Sequence, residues 1–183
     1  VQIREQLDFA TILYQKGLYK QSLKILDKAK TFAIEHEEKN VAYEIVELEK
    51  VIETQYITRS IPDRADELAV QAKELSALNV MASKLSNLSL QLYGMMLKVG
   101  YVRSDEDLQK VKTYFEAHLP AYELDKLGFR EKLWLYKAHL WYSLLIQDFL
   151  SAYKYASKWV DLFYENKEMI PLNPVFFLKG NHY

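Results

Sequence analysis

Four histidines, His36, His118, His139 and His182, have the widest chemical repertoire of any side chains in this sequence, since imidazole changes charge near neutral pH and binds metals. None of them stands in an HExxH pattern or another metal-ligand spacing. His36-Glu37-Glu38 reads as a solvated helix end. The acids Glu44, Glu47 and Glu49, and the run Asp105-Glu106-Asp107, could in principle pair as general acid and base. Their spacing fits a solvated helix face and a helix start better. A glycine-rich phosphate loop, a GxSxG elbow and a DxDxDG loop are all missing from the sequence. The chain has no cysteine, which removes disulfides, thiolate metal sites and thiolate nucleophiles. The expectation is a protein without metal, cofactor or catalytic residues.

The residues best suited to binding are aromatic. The helix expected over residues 129–146 carries Trp134, Lys137, Trp141 and Leu145 at i, i+3, i+7 and i+11, so they share one face. Tyr136, Leu140 and Leu144 share another. Tryptophan and tyrosine dominate binding hot spots, and equally fill cores. The two readings are a ligand platform and packing between neighbouring helices.

These side chains must be positioned by helices, and the pattern of residues 3–33 shows how. Ile3, Leu7, Phe9, Ala10, Ile12, Leu13 and Tyr14 recur at helical spacing, and Gly17 stands where a helix would end in a left-handed turn. A second helix follows, with Leu23, Ile25, Leu26, Ala29, Phe32 and Ala33 on one side. The small residues Ala10, Ser22 and Ala29 fall where two helices approach closely, and Phe9, Tyr19 and Leu26 where gaps must be filled. Further helices are expected over 41–58, with Ile45, Leu48, Ile52 and Tyr56 inward, and from Pro62 to Leu75 after a break at Ser60-Ile61. Others are expected over 80–99, from an N-cap at Ser104 to Pro120, and from Phe149 onward. Gly94 inside the 80–99 helix predicts close packing there. Residues 121–128 form a connection with some helical character. Val175 to Leu178 open a last helix, a terminal cap or an oligomer contact.

The spacing Phe9-Ala10-x-x-Leu13-x-x-x-Gly17-x-Tyr19-x-x-Ser22-x-x-x-Leu26-x-x-Ala29 resembles the tetratricopeptide repeat. A second close match is Leu90-x-x-Tyr93-Gly94-x-x-Leu97, with looser copies in between and afterwards. Gln6, Glu53 and Leu140 depart from the family pattern, and the period is about 40 residues rather than the ~34 of the standard repeat. The resemblance implies an all-α fold, an αα-hairpin repeat array of about eight helices coiled into a right-handed superhelix. Its hairpins would span residues 2–38, 41–78, 80–119 and 129–166 of a single domain over 1–183, with 167–183 an extension. It further implies a concave groove that holds a protein or peptide segment. The groove positions carried over are Leu7, Thr11, Tyr14 and Gln15, then Gln91, Met95 and Lys98, then Trp134, Lys137, Trp141 and Leu145. His139 falls on a core position of the family, which implies a packed histidine.

Composition bounds the remaining possibilities. Half of the 183 residues are hydrophobic and 27% are charged, a globular balance. With only 5 glycines and 4 prolines, punctuation is sparse and helices are favoured. A net charge of −1 gives no electrostatic case for nucleic acid. The longest uncharged run, residues 85–97, is too short for a membrane helix. The start lacks methionine and a signal-peptide pattern, and the end is apolar, so a fragment of a longer, cytoplasmic protein is expected. The leading expectation is an interaction scaffold. A peptide-responsive regulatory or sensory domain is the alternative in the same fold, and self-association through the ends of the stack is a third. A helical enzyme around His139 would need a carboxylate beside that ring.

Overall fold

The computed structural model describes residues 2–55 and 61–183, with the side chain of Ile61 not included. Tyr56, Thr58 and Ser60, expected at the end of one helix and the start of the next, lie outside the described residues. Every regular element among the described residues is helical. These are α1 (Gln2–Gln15), α2 (Tyr19–Glu35), α3 (Lys39–Gln55), α4 (Ile61–Val99), α5 (Asp105–His118), α6 (Phe129–Leu145), α7 (Phe149–Glu165) and α8 (Pro174–His182). Short 3-10 turns lie at Leu124–Lys126 and Lys167–Met169. The chain divides into two compact units, Val1–Asn79 and Val80–Tyr183.

Three hairpins close with one turn geometry. Gly17, Glu37 and Gln147 all have φ near +60 to +74°. Around Gly17, the N–H of Leu18 donates to the carbonyl of Leu13 and that of Gly17 to Tyr14, both at 2.9 Å. Around Glu37 and Gln147 the same pair recurs, as Glu38 to Ala33 with Glu37 to Ile34, and as Asp148 to Ser143 with Gln147 to Leu144. This pair of hydrogen bonds across a left-handed residue satisfies the last carbonyls of each helix. The next helix starts at once, because the carbonyls of Leu18, Glu38 and Asp148 accept from Ser22, Ala42 and Ala152. Each of those three residues is small and buried.

In the N-terminal unit α2 packs on both α1 and α3. The small residues predicted at the crossing are there: Ala10, Ser22 and Ala29 are fully buried, and the Ser22 hydroxyl donates to the Ala10 carbonyl at 2.7 Å. Leu26, Ile45 and Ile52 fill the core, each contributing about 1.5–3 kcal/mol by leaving water. Phe9 differs from expectation. It is 54% exposed beside Ile12 at 46%, because Leu7, Ala10 and Tyr14 take the covered side of α1 and leave the Phe9 side bare.

Glu49 also departs from the solvated face expected of it. It is fully buried, with Lys30 Nζ at 2.7 Å and Arg64 Nη2 at 3.0 Å. Its fellow acids stay near solvent, Glu44 paired with Arg4 and Glu47 with Lys50. Burial pushes the Glu49 carboxyl above its usual range, and the two cations pull it back only in part. A buried carboxylate so matched completes a core and frees no group for chemistry.

The largest correction concerns α4. The sequence suggests one helix ending near Leu78 and another starting at Val80, yet Ile61–Val99 is a single helix of 39 residues. The stretch Ala77-Leu78-Asn79-Val80-Met81-Ala82 has neither glycine nor proline to stop it. Asn79, the one residue there that could cap an end, instead donates its amide to the Lys39 carbonyl at 3.3 Å.

In the C-terminal unit α6 and α7 form the third hairpin and α8 returns onto α7. Trp159 and Phe163 of α7 are fully buried, and Gly180 of α8 lies so close that a Cβ there would sit 2.9 Å from the Trp159 ring. The tail therefore packs as a cap on α7, with Phe176 against Trp134 and Phe177 against Phe163. Ser104 caps α5 as expected, its hydroxyl accepting from the Asp107 N–H. Gly94 does not mark a close approach, since nothing lies within 4 Å of a Cβ built there.

Candidate functional site

Apolar residues run around most of the circumference of α6, so the helix has more apolar surface than the core alone can cover. Leu133, Leu135 and Leu140 are buried, while Trp134, Lys137 and Trp141 stay half-buried on another side. These three meet Leu90 and Tyr93 of α4 and Lys179 and Tyr183 at the C-terminal end around a cleft of about 400 Å³. Ser86, Asn87 and Ser89 add hydroxyl and amide groups. The ring centroids of Tyr93 and Trp141 are 4.7 Å apart, and those of Trp141 and Tyr183 are 5.7 Å apart with a 73° tilt. Such tilted contacts favour the edge of one ring against the face of the next and hold the walls in place.

Lys137 crosses this wall. Its Nζ lies 4.8 Å from the ring centroids of both Trp134 and Phe176. Burial first, and the charge of Lys179 second, lower its pKa from the usual lysine value. Among the described residues no acidic side chain lines the cleft. Burial also raises the Tyr183 phenol, which stays protonated and able to donate a hydrogen bond at neutral pH.

The remaining predicted groove positions are dispersed. In the N-terminal unit Leu7 packs into the core, Thr11 donates to the Leu7 carbonyl, and Tyr14 donates to Gln55 at 3.1 Å. Gln15 is exposed. In the C-terminal unit Gln91 accepts from the Tyr114 hydroxyl, Met95 packs against the core cluster of Leu88, Leu92, Phe115 and Ala138, and Lys98 is exposed. Leu145 is buried, and its carbonyl accepts from Val102 at 3.0 Å. Trp134, Lys137 and Trp141 are the three that the fold brings to one cavity. Tyr93, Lys179 and Tyr183 join them, although the repeat pattern places none of these in a groove. The signal for the last two is the apolar tail with Gly180, a glycine that invites close packing on a helix.

His139 stands elsewhere, stacked on Tyr155 at 4.3 Å and edge-on to Phe115 at 5.2 Å. Its Nε2 is buried without a hydrogen-bond partner. Burial foremost, then Lys158 and Lys154, pull its pKa down to about 4. A general base wants a carboxylate to orient and charge the ring, and here the acting charges are cationic. Among the described residues no group of three or more potential ligands could hold a metal ion, and no helix is long and apolar enough to cross a membrane. No protein family, curated protein or solved structure matches the chain.

Proposed function

We propose that this protein is a non-catalytic, cytoplasmic scaffold that holds a protein or peptide segment, built as a tetratricopeptide-like right-handed superhelix of helical hairpins. The hairpin reading draws support from the three matching turns at Gly17, Glu37 and Gln147, each followed by a small buried residue. The binding reading rests on one observation, the aromatic cleft that gathers Trp134, Lys137 and Trp141 with Tyr93 and Tyr183. Half-buried tryptophans with an open rim are the anchors that dominate recognition surfaces.

The test is selection of short peptides displayed against the full chain, followed by affinity measurement with Trp141→Ala. Removing that ring should weaken selected peptides by about tenfold or more. Leu90, 68% exposed at the rim, offers a second variant, Leu90→Ser, that leaves the core alone. Peptides that bind both variants as tightly as the parent would place the binding surface elsewhere.

A further inference from the structure

The charge inside the cleft narrows what it accepts. Among the described residues its only ionisable side chains besides the tyrosines are those of two lysines, Lys137 and Lys179, which line the same cleft. Neither is in a salt bridge among the described residues. Elsewhere the buried cations of this protein are matched, Lys30 to Glu49 at 2.7 Å and Lys39 to Glu37 at 2.8 Å. The Lys137 ammonium rests on the Trp134 and Phe176 rings, which offset part of its lost hydration but bring no negative charge, so an anion entering the cleft meets two cations and no competing carboxylate side chain. One side of the wall, in contrast, is aromatic, with Trp141 flanked by the tilted rings of Tyr93 and Tyr183. A volume of about 400 Å³ falls in the ~300–1,000 Å³ range of small-molecule sites.

The geometry points to a binding site for a small aromatic carboxylate, its acid group facing Lys137 and Lys179 and its ring among Tyr93, Trp141 and Tyr183. This goes beyond the scaffold reading and does not depend on a peptide partner. The anion neutralises the two cations, the ring displaces water from the aromatic side of the wall, and the Tyr183 hydroxyl can donate to a carboxylate oxygen.

The full chain is titrated with cinnamate, and with cinnamamide and cinnamylamine as neutral and cationic counterparts of the same shape, followed by amide NMR spectra. Cinnamate should bind with a Kd of about 1 mM or tighter, the affinity usual for a ligand of that size in a formed pocket. Its shifts should fall on residues of α4, α6 and α8 that line the cleft. The amide and the amine should bind about fivefold or more weakly, and added salt should narrow that difference. Lys179→Met, on an exposed side chain of α8, should cost cinnamate about fivefold and leave the amide unchanged. Lys137→Met should do the same. Should that variant fail to fold, Lys179→Met decides alone. Equal affinities for the three ligands, no binding of cinnamate, or indifference to Lys179→Met would overturn the inference. A chain that binds display-selected peptides at the cleft but not cinnamate overturns it too, and leaves the scaffold reading standing.

Discussion

Protonating His139 is expected to destabilise the C-terminal unit, and the amount can be worked out. The ring is packed between Tyr155 and Phe115, and burial with Lys158 and Lys154 holds its pKa at about 4 instead of 6.5. In the unfolded chain the ordinary value returns. Between the two values the unfolded chain binds more protons than the native one. The stabilisation is therefore complete above pH 6.5 and is lost as pH falls toward 4. Each pH unit of separation is worth about 1.4 kcal/mol, so the drop from 6.5 to about 4 sets a ceiling of about 3.4 kcal/mol. His139 is partly exposed, so water relieves part of the burial penalty and screens the lysines, which lowers the expectation to about 2 kcal/mol. His139→Phe keeps an aromatic ring in the stack and removes the titration. Urea unfolding of both proteins, at neutral pH and at about pH 4.5, isolates the effect because the carboxylates common to both cancel in the difference. The parent should lose about 2 kcal/mol more than the variant. Parallel pH dependences would refute the reasoning, and would mean that the native ring takes up its proton freely.

Two glycines should respond in opposite directions to alanine. Gly94→Ala should raise stability by about 0.5–1 kcal/mol, since it lies in mid-helix and a Cβ meets nothing. Gly17→Ala should lower it by about 1 kcal/mol because φ is +74°. Both are read by thermal or urea unfolding. Glu49→Ala leaves Lys30 buried with only the exposed Asp27, 4.0 Å away, and should cost about 3 kcal/mol. A loss below about 1 kcal/mol would show that water reaches the ammonium. Gly180→Ala drives a Cβ to 2.9 Å from Trp159 and should cost about 1–3 kcal/mol, seen as a lower melting temperature and altered tryptophan fluorescence.

Local rules are readable wherever one residue type has one physical use. Gly17 ends α1 in the left-handed region, Ser104 caps α5, and Ala10, Ser22 and Ala29 mark the helix crossing. The same rules place breaks near His36 and Ile146 but do not mark Glu37 and Gln147 as the left-handed residues, because a longer side chain occupies the glycine position. There Glu37 recovers an ion pair to Lys39 and Gln147 a hydrogen bond to the Val102 carbonyl. The unbroken α4 is hidden because the expected repeat of about 40 residues asks for a turn that residues 77–82 lack the chemistry to make. Glu49 is hidden because its partners lie 19 and 15 residues away on other helices. In the cleft, the Trp134, Lys137 and Trp141 face follows from helical spacing alone. The contribution of Lys179 and Tyr183 depends on α8 folding back onto α7, which no local pattern specifies.

The most direct test of the binding surface is an amide NMR map of the labelled chain with a display-selected peptide. Saturable shifts are expected at residues 86–93, 134–141 and 179–183, with their loss in Trp141→Ala. Shifts centred on α1 to α3, or on the exposed start of α7 at Leu150 and Tyr153, would contradict this expectation.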